Sequence, residues 1–148
     1  MDIKLLTDVE KASIGERQPL TSTGLGKALL LDDNDDHWAK LFKREQADSP
    51  RLPDYEIWLK RMRGYVEKGY AFDLEENEDL IRCVAAPIRD AGGRIVAAIS
   101  VSSAAQYMND RRMSALTEDV RGTAEAISTD LGWTRATKRA SERSRRLK

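Results

Sequence analysis

"GYAFDLEENEDLIRCVAAPIRDAGGRIVAAISVSS", residues 69–103, is where the apolar pattern of this chain changes period. Val84, Ala85, Ala86 and Ile88 form a nearly continuous apolar run, as do Ile95 to Ile99, and "DAGG" between them has the composition of a tight turn. Two buried strands joined by a hairpin are expected, with a shorter strand in "GYAFDLEE" before them. Upstream and downstream the period is helical. Leu25, Ala28 and Leu29 recur at helical spacing over 21–31, with Gly15 in a turn and Pro19 suited to the start of the next element. Asp35 or Asp36 can cap a helix whose face is Trp38, Leu41 and Phe42. Ile57, Leu59, Met62 and Val66 mark a third helix over 54–68 that Gly69 stops. Met113, Leu116, Val120, Ala124, Ile127 and Leu131 line a long last helix ended by Gly132. A weak alternation suggests a short strand near 8–14. The expected fold is an α+β domain, an antiparallel sheet with helices packed over it.

The length of 148 residues suits one domain with a core of its own. No apolar run approaches the roughly 18 residues of a membrane span, and no signal-peptide order opens the chain. The single cysteine, Cys83, excludes an internal disulfide framework and a cysteine-rich metal site, and a reducing cytoplasm is the expected compartment. Charge is balanced overall at 25 basic and 25 acidic residues, but residues 134–148 hold seven of the basic groups and one of the acidic. Residues 1–133 are therefore acidic, with no obvious surface for a polyphosphate. The basic end could touch nucleic acid or an anionic surface; its Ser/Arg-rich composition is read as a disordered tail.

Four groups of residues carry candidate chemistry. In "PLTSTGLGKALL", residues 19–30, a phosphate-binding loop would need glycine where Thr21 stands and a hydroxyl where Ala28 stands, and a dinucleotide loop would need glycine at Leu29. Two readings remain: backbone N–H groups at Gly24 and Gly26 receiving an anion, or glycines that let the helix pack closely on the sheet. In "FDLEENEDLIRC" most acidic residues read as a solvated loop, while Asp73 belongs beside the strand and near Cys83. Cys83 itself is open to three readings: a buried small residue, a pocket lining with a weak S–H donor, or a nucleophile whose sole possible histidine base is His37. Ser100 and Ser102 point to one face of their strand, and burying either hydroxyl unpaired would cost about 1–3 kcal/mol. Asp32, Asn34 and Asp36 begin like a calcium loop, but His37 and Lys43 occupy its glycine and terminal glutamate positions. No metal and no cofactor is expected.

Taken together, "GERQPLTSTGLGKALL", "GYAFDLEENEDLIRCVAAPIRDAGGRIVAAISVSS" and the final helix with "LGW" resemble the effector-binding domain of IclR-type bacterial transcriptional regulators from about Ser13 to Trp133. The resemblance implies a GAF-like fold that senses a small organic acid, oligomerises as a homodimer or homotetramer and does no catalysis. It further implies ligand contacts at the backbone of Gly24 and Leu25, at Asp73, at the apolar Ile81, at Cys83, and at the paired Ser100 and Ser102. Gln18, where some relatives are apolar, favours a hydroxylated ligand such as a sugar acid. A winged helix-turn-helix and the first strands of the sensor domain are expected to precede Met1. DNA would be bound only through that absent domain, leaving residues 1–133 as an N-terminally incomplete sensor and 134–148 as its tail. Two alternatives stand beside this reading: a cysteine-dependent hydrolase using Cys83, and an oligomerisation module that has lost its ligand.

Overall fold

The computed structural model describes residues 15–147, so the strand expected near 8–14 lies outside the described residues. In chain order the elements are α1 (Gly24–Leu29), α2 (Asp35–Glu45), α3 (Tyr55–Lys68), β1 (Ala71–Leu74), β2 (Ile81–Arg89), β3 (Ile95–Ala104), α4 (Asp110–Asp130) and α5 (Arg135–Arg146), with short 3-10 turns at Gln46–Asp48 and Ala105–Tyr107. The strands form an antiparallel sheet in the order β1-β2-β3. This is the expected α+β architecture, with helices on both faces of the sheet.

Strand alternation divides the core. Ala71, Cys83 and Ala85 face a cluster built by Ala28, Leu30 and Leu31 with Trp38, Leu41 and Phe42 of α2 and Trp58, Leu59, Met62 and Tyr65 of α3. Val84, Ala86 and Ile88 face the other way, onto Met108 and onto Met113, Val120 and Ala124 of α4. Of the three buried tryptophans, two satisfy their indole N–H on backbone carbonyls, Trp38 at Leu30 and Trp58 at Thr21, each at 2.8 Å, while the Trp133 indole N–H has no hydrogen-bond partner among the described residues. The hairpin closes at Asp90–Gly93: Gly93 takes a φ of 84°, and the Asp90 carboxylate accepts from the Gly92 and Arg94 amides at 3.0 Å. Gly69 ends α3 in the left-handed conformation, as expected.

Four expectations change here. The α3 face is rotated: Ile57 and Val66 are exposed, while Trp58 and Tyr65 join Leu59 and Met62 inside. Burying two rings removes more apolar area than burying two aliphatic chains, and the aromatic neighbours of Trp58 take up that volume. On α1 the buried residues are Gly24, Gly26, Lys27 and Ala28, with Leu25 and Leu29 exposed. Asn34, rather than Asp35 or Asp36, caps α2, accepting from the His37 amide at 2.9 Å. Finally, the basic segment read as a disordered tail is helical over Arg135–Arg146, in keeping with the high helix propensity of its Arg, Ala and Lys content.

Candidate functional site

The loop that precedes α1 is held by its own hydroxyls. Thr23 caps α1, accepting from the Gly26 amide at 3.0 Å while its O–H donates to the Pro19 carbonyl at 2.6 Å. The Glu45 carboxylate accepts from the Leu20 and Thr21 amides at 3.0 and 2.8 Å and from the Thr21 hydroxyl. Ser22 donates to the Asn77 side-chain carbonyl at 3.0 Å, tying this loop to the one between β1 and β2. Thr21, Ser22 and Thr23 therefore hold the chain rather than a ligand. Gly26 is required by close approach, since a Cβ there would lie 2.4 Å from the Leu20 backbone.

That clamp lays α1 across all three strands. Beneath it the register aligns Asp73 with Cys83 and Cys83 with Ser102 in one row, and Ala85 with Ser100 in the next. Side chains in these rows share the face that α1 covers. Gly24 sits on Cys83: a Cβ built at Gly24 would be 2.7 Å from the Cys83 sulfur. Ile81 occupies the next position on this face beyond Cys83 and is partly buried. Asp73 and Cys83 are buried, Ser100 is half-buried, and Ser102 and Leu25 are exposed at the β3 margin. As the first two helical residues, Gly24 and Leu25 carry N–H groups that no earlier turn can satisfy. Every residue expected in the site is thus gathered around one patch of sheet beside one helix start. Gln18 is exposed on the loop before it.

The electrostatics explain which groups carry charge. Burial pushes the Asp73 carboxyl up to about 6, against the pull of the Lys27 ammonium and of the backbone donors Glu76 and Asn77. Those amides donate to Asp73 Oδ1 at 2.9 and 3.4 Å. Burial also pushes the Cys83 thiol up, with the Ser102 and Ser100 hydroxyls acting in the opposite direction. His37 is exposed on α2 and pairs with Asp33 at 2.6 Å. A buried thiol held protonated is the reverse of an activated nucleophile.

Two residues beside the site escaped the sequence. Lys27 Nζ lies 2.7 Å from Glu76 Oε1, and both side chains are almost wholly buried, at 1% and 3% exposure. Glu76 reads in sequence as one of four acids in a solvated loop, yet Glu75 before it adopts a φ of 65°, which turns the chain so that Glu76 faces inward. The one available signal was Lys27 itself, a cation set between Gly26 and Ala28 on what became the inward side of α1. Among the described residues no group of three or more His, Cys, Asp or Glu side chains is arranged to hold a metal ion. Among them, too, no helix is long and apolar enough to cross a membrane.

Residues 7–129 match the family described as "Bacterial transcriptional regulator IclR C-terminal". The HTH-type transcriptional repressor AllR of Escherichia coli K12 is 36% identical over 124 residues, which cover 82% of this chain and 46% of that protein. AllR of Salmonella typhimurium gives the same identity and coverage. The chain spans about half the length of these curated relatives. Among solved structures, the Agobacterium tumefaciens repressor BlcR superposes with a TM-score of 0.74 at 26% identity, covering 84% of this chain and 52% of that one. The C-terminal domain of the E. coli transcriptional regulator KdgR superposes with a TM-score of 0.68 at 29% identity, covering 81% and 75%.

Proposed function

This chain belongs to the IclR C-terminal family of bacterial transcriptional regulators, and from that premise we propose that it senses a small carboxylate metabolite, an organic or sugar acid, without catalysing its conversion. The observation that carries the reading is the Asp73–Cys83–Ser102 row under the start of α1. There a ligand's carboxylate would meet the free N–H groups of Gly24 and Leu25, while Ser100, Ser102 and Asp73 would bond its remaining polar atoms, with Ile81 and Cys83 as apolar lining. Asp73 near pH 6–7 can present either a donor or an acceptor, which suits a hydroxyl on the ligand. Repression by the AllR and BlcR relatives supports coupling of this site to DNA occupancy, exerted through a helix-turn-helix elsewhere in the regulator and through subunit assembly as a homodimer or homotetramer. Exposed Val96 and Val101 on β3, one of the two outer strands among the described residues, offer apolar surface for that assembly.

The test is a thermal-shift screen of the chain against 2-oxo acids, hydroxy acids, sugar acids and aromatic acids. A ligand at 100 times its Kd adds about 2.7 kcal/mol. At about 2–4 °C per kcal/mol the midpoint rises by roughly 5–10 °C. Ser102→Ala should abolish most of the shift without lowering the unliganded midpoint.

The closeness of Gly24 to Cys83 favours a second reading, an assembly module whose pocket is filled by its own side chains. It is preferred if no acid shifts the midpoint while light scattering still gives a defined oligomer.

A further inference from the structure

The last helix carries a charge pattern that the ligand site does not use. Five of the seven basic residues in 134–148 are arginines. At 3.6 residues per turn, Arg135, Arg139, Arg143 and Arg146 fall within an arc of about 80° and form a row about 16 Å long. All four are exposed, and none is in an ion pair among the described residues. The helix meets the body along the sides next to this row, and Arg135 and Arg139 border a cleft with Glu125 and Trp133. Thr137 Oγ1 reaches the Ala91 carbonyl at 3.5 Å, and Lys138 and Glu142 line a cavity of about 200 Å³ with Trp133, Arg89 and Arg121. Like charges four residues apart disfavour a helix on its own, so this row carries a repulsion that a polyanion would relieve.

We propose that α5 is a phosphate-backbone contact, by which this domain itself holds duplex DNA without reading its sequence. Guanidinium forks match phosphate oxygens in pairs, which an equal number of ammonium groups would not. The first 133 residues, with 18 basic and 24 acidic groups, repel a polyanion and confine its footprint to this helix. A membrane surface fits less well, because the flank beside the arginine row presents Ala136, Ala140 and Ser144, with Leu147 just past the helix as its one large apolar side chain, and so buries little apolar area in a bilayer. This contact adds to sequence-specific reading by a helix-turn-helix and does not replace it.

The test is fluorescence anisotropy of the 148-residue chain with two duplexes of unrelated sequence, titrated across salt. Four neutralised phosphates give a slope of log K against log salt of about −3.6, so raising salt from about 50 to about 200 mM weakens binding about 150-fold. Both duplexes should bind alike. Replacing Arg135, Arg139, Arg143 and Arg146 together by Gln should abolish binding at an unchanged thermal midpoint, and replacing them by Lys should keep the salt slope while weakening the binding. No binding at 50 mM salt, or an unchanged slope in the Gln variant, overturns the proposal. So does association with phosphatidylserine vesicles but not with either duplex, which would assign the helix to a membrane surface.

Discussion

Gly24 and Cys83 touch so closely that no side chain can stand between them: a Cβ on Gly24 would lie 2.7 Å from the Cys83 sulfur and 3.4 Å from its Cβ. Cys83 is a short, buried side chain on a central strand, so it has little room to turn away. Gly24→Ala should therefore destabilise the fold by about 1–3 kcal/mol, the range for overpacking. Cys83→Ala removes the atom that clashes. The double variant should then be more stable than the sum of the single losses implies, by at least about 0.5 kcal/mol in a double-mutant cycle from urea unfolding. Strict additivity would mean that α1 lifts off the sheet rather than pressing on the sulfur.

Asp73 makes a pH-dependent prediction whose sign can be worked out. Its carboxyl titrates near 6 when folded, against about 3.9 in an unfolded chain. The native state therefore holds this proton more tightly, and the stability it contributes is complete below about pH 4 and lost as pH rises through 6. Asparagine keeps the carbonyl that accepts from the Glu76 and Asn77 amides but never ionises. Asp73→Asn should match the parent near pH 4 and exceed it by about 2–3 kcal/mol near pH 7.5, at about 1.36 kcal/mol per pH unit. Denaturation curves at both pH values check this. An equal difference at the two would show that Asp73 is solvated. If the ligand site is where we place it, the same variant gains stability and loses affinity, so the ionisable carboxyl is retained for binding at the expense of the fold.

Much of this was legible because the deciding patterns are local. The apolar runs Val84–Ile88 and Ile95–Ile99, with a glycine turn between them, admit little except a hairpin, and the hairpin fixes Cys83 opposite Ser102. Of its two strands only β2 is buried as expected, because β3 lies at the sheet's edge among the described residues and no residue of it is fully covered. Asp73 followed from its place one strand earlier. What failed to show were facts set by tertiary contact. Nothing in Ile57 and Val66 says that Trp58 and Tyr65 will take their place inside. Nothing in "LEENED" says that Glu76 alone turns inward, because that depends on a left-handed backbone at Glu75 and on a cation arriving from α1. The opening loop misled for a related reason: its hydroxyls resemble ligand donors, and their partners, Glu45 and Asn77, lie far along the chain.

The buried pair of Lys27 and Glu76 gives the last prediction. Lys27 Nζ meets Glu76 Oε1 at 2.7 Å, Arg61 approaches the same oxygen at 3.7 Å, and Glu76 Oε2 is buried with no hydrogen-bond partner among the described residues. The carboxylate thus depends on one close cation. Lys27→Met should cost about 3–5 kcal/mol, because it leaves a buried charge uncompensated. Pairing it with Glu76→Leu should recover most of that loss, since replacing both partners by apolar groups of similar volume is often neutral or better. Chemical denaturation of the single and double variants near pH 7.5 decides the matter. A small loss for Lys27→Met at pH 7.5 would mean that Arg61 closes in to replace it. A double variant as unstable as the single would mean that the pair is needed to shape the loop around Asp73, and its ligand affinity should then fall as well.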